Sequence, residues 1–171
     1  LNTLLAEFGC PSVDERVLHS AVQALYAVSQ AHWQPETDAL PMLAELRCRG
    51  YRMGMISNAS DDTDVQTLVD KGQFRPYLDF VITSAKMGIR KPNPRIFRAA
   101  LTHWGYVPSE AVMVGDKLGA DILGAQLTGI PGIWISRRAD TPANHAHRDT
   151  IHPDSTITTL TELVPLLENR L

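Results

Sequence analysis

Short apolar runs alternate with amphipathic segments along most of the chain. A mostly apolar run at 51–57 ends in polar residues, and three similar runs follow it, at 80–83, 111–114 and 132–135. Segments with apolar residues at helical spacing separate the runs, at about 62–72, 94–104 and 119–129. Because buried strands that alternate with helices are typical of parallel sheets covered on both faces, the pattern predicts an open, mainly parallel α/β sheet.

Residues 1–34 carry a helical pattern instead. It predicts a short helix over 1–9 and a longer one that starts at Ser12 or Asp14 and runs to Trp33. The N-terminal part of the chain is therefore expected to be a small helical piece.

The remainder, 35–171, is expected to form the α/β unit. It opens with an amphipathic helix over 39–48 and closes with a helix over 160–170. The segment 137–155 has the most loop-like composition and is predicted to be a loop.

Composition excludes several classes of protein. The 171 residues carry 16 Lys and Arg against 19 Asp and Glu, a net charge of −3, so no electrostatic reason to bind nucleic acid exists. No apolar run approaches the roughly 20 residues of a membrane span. The two cysteines, Cys10 and Cys48, form no Cys-x-x-Cys pair, which indicates reduced thiols and a cytoplasmic location.

Polar residues follow two of the predicted strands and one connecting turn, near the edge where ligands bind in such sheets. Ser57 and Asn58 end the first strand, where a hydroxyl, an amide and a helix start can hold an anion; the alternative is a helix cap. Lys91 precedes Pro92, which keeps it out of helical geometry on a rigid turn; the alternative is a solvated surface lysine.

The third predicted strand ends at Asp116, and Asp121 follows five residues later. Two carboxylates at this place suit Mg²⁺, which prefers oxygen ligands. The alternative is that Asp116 caps the next helix and Asp121 is a first-turn acid that favours its dipole.

Together these residues resemble three of the four sequence motifs of the haloacid dehalogenase superfamily. The matching elements are Ser57 after a strand, the Lys91-Pro turn, and Gly-Asp at Asp116 with Asp121 beyond it, in the family's order. The resemblance covers about 36–136. It implies a Rossmann-like three-layer sandwich with a helical cap, of which 1–34 is a remnant.

The resemblance also implies roles for the individual side chains. Ser57 is expected to hydrogen-bond a transferred phosphoryl group, with Asn58 contacting the substrate. Lys91 is expected to offset the negative charge of nucleophile and phosphate. Asp116 is expected to bind Mg²⁺, and Asp121 to support it, either behind the metal or bonded to Lys91.

One family motif is missing. The first motif, Asp-x-Asp-x-Thr, ends the central strand of the family's sheet and supplies the nucleophile, but residues 1–50 contain no such arrangement. The single Asp-x-Asp, at 62–64, follows the Ser57 strand and is interpreted as first-turn helix acids.

We therefore expect that residue 1 is not the natural start and that upstream residues carry this strand and its nucleophile. Otherwise the Ser57 and Asp116 strands must pair directly, or borrow a strand from a second subunit. Alone, the chain is expected to lack covalent phosphoryl chemistry.

The predicted function is a Mg²⁺-dependent phosphatase that acts on a small phosphorylated metabolite. One alternative is a truncated, inactive binding or oligomerising module, since an unfilled strand position favours self-association into a homodimer. Another is a 2-haloacid dehalogenase, which the Gly-Asp at Asp116 disfavours because that subgroup carries Ser-Ser-Asn there. A metal site at His145, His147 and His152 is a third, although their irregular spacing is more typical of a polar loop.

Overall fold

The computed structural model describes residues 13–169, together with Glu7 and Gly9. The chain divides into two compact units, Leu1–Gln34 and Pro35–Leu171. Apart from Glu7 and Gly9, the helix predicted over 1–9 lies outside the described residues.

The described part of the first unit is one helix, α1, at Glu15–His32. Asp14 begins it, because its carboxylate accepts a hydrogen bond of 2.8 Å from the Arg16 amide and so satisfies one of the unpaired N–H groups of the first turn. All residues of α1 are described and none is buried. Within 13–169, no helix has the length and apolarity that a membrane crossing requires.

The described part of the second unit, 35–169, contains five short strands, and every paired neighbour is parallel. The strands are β1 at Gly54–Ser57, β2 at Phe80–Thr83, β3 at Met113–Gly115, β4 at Gly132–Ile135 and β5 at Ser155–Ile157. Gly54 is opposite Phe80, Met113 is opposite Gly132, and Ile133 is opposite Ser155. The prediction of a mainly parallel α/β unit is confirmed.

Seven helices connect and cover these strands in the described part of the unit. They are α2 at Ala39–Cys48, α3 at Asp62–Lys71, α4 at Ser84–Met87, α5 at Pro94–Trp104, α6 at Leu123–Thr128, α7 at Pro142–His145 and α8 at Leu163–Glu168. A single π-helical turn, Leu118–Ile122, leads directly into α6. Short 3₁₀ turns occur at Arg75–Tyr77, Pro108–Glu110, Ser136–Arg138 and Leu160–Glu162.

Apolar side chains fill both faces of the strands, which makes the unit three layers thick. On one face, α2 and α8 pack on β4 and β5 through a cluster that includes Met42, Ile133 and Leu167. On the other, α5 and α6 pack through Phe97 and Ala125. Phe97 and Ile133 are almost fully buried, as the central residues of two such clusters must be.

The strands form two separate sheets. β1 pairs with β2, and β3, β4 and β5 form the other sheet in that order. Between residues 13 and 169 no strand joins β1 to β3, so the direct pairing of the Ser57 and Asp116 strands, one of the options left by the sequence, is not found. A small cavity of about 60 Å³ is lined by residues of both strands, including Ile56 of β1 and Met113 of β3. Self-association at these edges stays a prediction.

The prediction of a loop over 137–155 is wrong in two places. The segment contains the helix α7 and the first residue of β5. The sequence gives no sign of β5, because a strand of three residues that begins Ser-Thr is too short to show an apolar alternation.

Asp38, just before α2, connects three separate segments through hydrogen bonds. Its carboxylate accepts hydrogen bonds from both terminal nitrogens of Arg137, one of them 2.9 Å long, and from the Leu160 amide at 2.9 Å. The Arg137 hydrogen bonds outweigh the opposing effect of burial and hold the pKa of Asp38 below its ordinary value. Because the charged form is stabilised only in the folded state, this carboxylate stabilises the fold above its unfolded pKa.

Replacing this carboxylate is expected to give a pH-dependent loss of stability. Asp38→Asn should lower the free energy of unfolding by about 1.5–3 kcal/mol at pH 7, since charge-assisted hydrogen bonds are lost. The difference from the wild type should persist above pH 3.8, the ordinary pKa of the carboxyl, and shrink as the pH falls through the lower folded-state value. Urea unfolding between pH 3 and pH 7 measures it.

Asp140→Asn is the matched control, because the Asp140 side chain is 94% exposed and its substitution should leave stability unchanged at every pH. A deficit in Asp38→Asn that stays constant down to the acid limit would contradict the assignment.

Candidate active site

A cavity of about 230 Å³ opens at the carboxyl ends of β1 and β3. Its lining contains the five residues for which the family resemblance implies roles, namely Ser57, Asn58, Lys91, Asp116 and Asp121. They come from three connections that are far apart in the chain. Parallel strands bring these connections to one edge, which is where ligands bind in open α/β sheets.

Lys91 occupies the centre of this arrangement. It lies between α4 and α5, where Asn93 starts α5 by accepting a hydrogen bond of 3.0 Å from the Arg95 amide. The Lys91 Nζ donates to the Ile56 carbonyl of β1 at 2.6 Å and lies 2.7 Å from the Asp121 Oδ1. Since the two charged side chains are only 9% and 5% exposed, this is a buried ion pair rather than a solvated surface lysine.

Asp121 supports Lys91 from the turn that follows β3. Its Oδ2 accepts a hydrogen bond of 3.0 Å from the Lys117 amide, while within the described residues its buried Oδ1 meets only the Lys91 ammonium and accepts no well-aligned hydrogen bond. A Cβ on Gly115 would lie 2.3 Å from the Asp121 Cβ, so only glycine allows this approach. Of the two positions left open for Asp121, the structure has the one bonded to Lys91.

The Asn58 side chain contacts the Lys91 backbone. Its Nδ2 donates to the Lys91 carbonyl at 2.9 Å, and its Oδ1 accepts from the Lys91 amide at 2.8 Å. The amide group therefore fixes the lysine turn against the end of β1. The predicted contact between Asn58 and a substrate stays a prediction, and it is not needed to explain the side chain.

Ser57 is the last residue of β1 and is opposite Thr83 of β2. The helix that follows begins at Asp61, whose carboxylate accepts a hydrogen bond of 2.8 Å from the Asp64 amide. Asp62 and Asp64 lie in the first turn of α3, and Asp62 accepts a hydrogen bond of 2.6 Å from the Thr83 hydroxyl. The Asp-x-Asp of this chain thus has the helix-start geometry that the sequence indicated.

Asp116 follows β3, and its side chain is 31% exposed in the cavity wall. Its carboxylate lies 3.5 Å from the Arg138 guanidinium. Its main-chain carbonyl accepts two hydrogen bonds, from the Trp134 Nε1 at 3.1 Å and from the Asn144 Nδ2 at 2.9 Å. Sequence reasoning missed all three of these neighbours, which lie in or beyond β4.

The donor set at Asp116 suits a hard cation. Mg²⁺ usually takes one or two carboxylates and completes its shell with waters and phosphate oxygens. Asp116 offers an accessible carboxylate, whereas the Asp121 oxygens already face Lys91 and the Lys117 amide. In the described part of the chain no three His, Cys, Asp or Glu residues gather as a metal site, and this includes the three histidines at 145, 147 and 152.

Comparison with known proteins identifies the family. The family model for haloacid dehalogenase-like hydrolases matches residues 1–135. The chain therefore belongs to the haloacid dehalogenase-like hydrolases, as its motifs indicated.

Several of the curated relatives carry the names of phosphatases. A phosphoserine phosphatase of Thermus thermophilus is 40% identical over 103 residues, which cover 60% of this chain and 40% of that protein. A glyceraldehyde 3-phosphate phosphatase of Methanopyrus kandleri is 32% identical over 124 residues, covering 72% of this chain and 53% of that protein. The chain thus spans about half the length of these curated relatives.

A solved structure extends the similarity to the fold. The crystal structure of a phosphatase of this family from Thermococcus onnurineus superposes with a TM-score of 0.72 at 30% identity, covering 97% of this chain and 69% of that one. The Rossmann-like fold expected from the sequence is confirmed.

The buried pair should show strong energetic coupling. Lys91→Met and Asp121→Asn are each expected to lower the free energy of unfolding by about 3–5 kcal/mol, because each variant leaves one buried partner unpaired. The double variant should cost about 1–3 kcal/mol less than the sum of the two, since the second change removes the unpaired group. Urea unfolding of the three variants measures the coupling.

The exposed Arg75–Asp70 pair, at 2.5 Å, provides the control for this double-mutant cycle. Solvent screens that pair, so the same cycle on Arg75→Met and Asp70→Asn should show no comparable coupling. Additive effects at Lys91 and Asp121 would mean that their contact does not stabilise the fold.

Proposed function

We propose that this chain supplies the phosphate-binding and metal-binding part of the active site of a phosphatase that acts on small phosphate monoesters. The observation that carries the proposal is the single cavity shared by Ser57, Lys91 and Asp116, a hydroxyl, an ammonium and an accessible carboxylate. Phosphoryl transfer depends mainly on positioning and on neutralising charge, and these groups can do both.

Lys91 is the group that would meet the phosphate charge. An ammonium has three N–H donors, and the Ile56 carbonyl and the Asp121 carboxylate take two of them. The third would donate to a phosphate oxygen, with the Ser57 hydroxyl donating to another. Because the ammonium is already fixed by its partners, little side-chain entropy is lost when the phosphate binds.

Asp116 would hold Mg²⁺. When bound, the ion would offset charge on the phosphate oxygens. We assign Asp121 to Lys91 rather than to the metal, because both of its oxygens already face donors in the structure. The Arg138 guanidinium lies 3.5 Å from the Asp116 carboxylate. When the cation binds, Arg138 would have to share this carboxylate with the cation or move away from it.

The nucleophile would come from a strand outside residues 13–169 that fills the space between β1 and β3. Three features support this. Both strands have an open edge in the described part of the chain, and each buried N–H or C=O left unpaired costs about 1–3 kcal/mol. Ile56 of β1 and Met113 of β3 both contribute apolar side chains to one small cavity, and such side chains suit the neighbours of a buried strand. The carboxyl end of such a strand would deliver an aspartate to the cavity. Its carboxylate would attack the phosphorus while the bond from phosphorus to the substrate oxygen breaks and the alcohol leaves, and water would then release inorganic phosphate from the aspartyl-phosphate.

The substrate class follows from the charge of the site and is supported by the relatives. Phosphoserine and glyceraldehyde 3-phosphate, in the names of two of them, are both small phosphate monoesters. The cytoplasmic location expected from the thiols stays a prediction.

Adding a strand that carries a nucleophile tests the proposal. A strand that ends in Asp-x-Asp-x-Thr, the first motif of the family, would be fused ahead of this chain. The fusion should hydrolyse p-nitrophenyl phosphate with Mg²⁺, whereas this chain alone should not. Ser57→Ala in the fusion should lower kcat/KM by about 10²–10³-fold, the cost of losing one donor to a developing charge.

Ser60→Ala is the matched control, because Ser60 is exposed three residues away and lies outside the cavity lining. Hydrolysis by this chain alone would contradict the account of the nucleophile. A folded but inactive fusion would favour the alternative of a binding module without catalysis.

A further inference from the structure

Asn144 is an almost fully buried polar side chain that contacts the turn carrying Asp116. It belongs to the short helix α7, within the segment predicted to be a loop, and it is 1% exposed. A buried amide is tolerated only when its polar atoms are hydrogen-bonded, so its partners explain why it is there.

Two of its three partners lie on either side of Lys117. The Asn144 Oδ1 accepts from the Leu118 amide at 2.9 Å, and the Nδ2 donates to the Asp116 carbonyl at 2.9 Å. One side chain therefore bonds a backbone amide and a backbone carbonyl of the turn that carries Asp116, the proposed Mg²⁺ ligand.

The third partner connects the turn to Arg138. The second hydrogen of the Asn144 Nδ2 is donated to the Arg138 carbonyl at 2.8 Å, and the Arg138 guanidinium is the cation next to the Asp116 carboxylate. Asn144 therefore donates hydrogen bonds to the backbones of both Asp116 and Arg138, whose charged side chains lie next to each other.

The same turn is held from its other side by Asp121. The Asp121 carboxylate accepts from the Lys117 amide, and the Lys117 carbonyl accepts from the Asp121 amide at 2.8 Å. His147 adds packing, because a Cβ on Gly119 would lie 2.5 Å from its Nε2. Asp116 consequently lies on a turn whose backbone groups are bonded on both sides.

We infer that Asn144 is a positioning residue of the proposed metal site: it fixes the backbone on both sides of Lys117 so that the Asp116 carboxylate is held ready in the cavity. The inference rests on the proposed role of Asp116 as the Mg²⁺ ligand. Side chains that orient metal ligands typically change metal affinity by 10–100-fold when replaced, although they do not touch the ion.

The test is a titration of this chain with Mg²⁺, followed by the amide resonances of Lys117 and Leu118 in two-dimensional NMR spectra. Asn144→Leu keeps the branched shape of the side chain and removes all three hydrogen bonds, so the dissociation constant should rise at least tenfold. Trp134→Phe removes only one of the two donors to the Asp116 carbonyl and should give a smaller rise.

The control separates positioning from general destabilisation. Leu101→Ala truncates a buried side chain of α5 that packs in the apolar cluster around Phe97, and it should lower stability while leaving the dissociation constant unchanged. Urea unfolding of each variant, run beside the titration, shows how far each is destabilised.

Three outcomes are distinguishable. If the wild type shows no Mg²⁺-dependent shifts, or shifts that survive Asp116→Asn, the proposed metal role of Asp116 fails and this inference with it. If the wild type binds through Asp116 and folded Asn144→Leu binds equally well, the inference alone is overturned. A raised dissociation constant in Asn144→Leu but not in Leu101→Ala supports it.

Hydrogen exchange of the wild type adds a measurement that needs no substitution. The Leu118 amide, which donates to the Asn144 Oδ1, should exchange only through large-scale opening of the fold. Exchange at the rate of a surface turn would overturn the inference even if Asn144→Leu does not fold.

Discussion

The ammonium of Lys91 connects the two sheets. Between residues 13 and 169, β1 and β3 share no hydrogen bonds, yet Lys91 meets the Ile56 carbonyl on one side and the Asp121 carboxylate on the other. A buried charge is tolerated only when partners offset its desolvation, so the position of this lysine determines much around it. Asn58 fixes its backbone, and Gly115 makes room for Asp121. Lys91, which meets the phosphate in our proposal, is therefore also a residue that joins the two sheets.

The parallel arrangement of the strands explains both the unfilled position between the sheets and the location of the site. Parallel strands place their carboxyl ends at one edge, and the connections that follow β1 and β3 face each other across the unfilled position. A strand inserted there would pair with two open edges and end among Ser57, Lys91 and Asp116. Stability and catalysis would then depend on the same insertion. This is why the chain is expected to hold the groups that position a phosphate but not the group that attacks it.

Sequence reasoning could predict the features that depend on the local pattern of apolar and polar residues. Apolar runs located β1 to β4 to within a few residues, and the polar residues after the strands, with the Lys91 turn, identified one edge. Sequence reasoning could not predict the features that depend on contacts between residues far apart in the chain. Asn144 lies in a segment without apolar periodicity, so nothing marks it as buried, and its partner Asp116 is 28 residues away. Both positions for Asp121 are compatible with its spacing, and its contacts with the Lys91 ammonium and the Lys117 amide distinguish them.

A crystal structure of this chain with Mg²⁺ and tungstate, an analogue of phosphate with strong anomalous scattering, tests the central claim most directly. The account predicts tungstate oxygens within hydrogen-bond distance of the Ser57 hydroxyl and the Lys91 ammonium, with the cation on the Asp116 carboxylate and the Lys91–Asp121 contact retained. An anion bound elsewhere, or a Lys91 side chain turned out to solvent and away from Asp121, would contradict it.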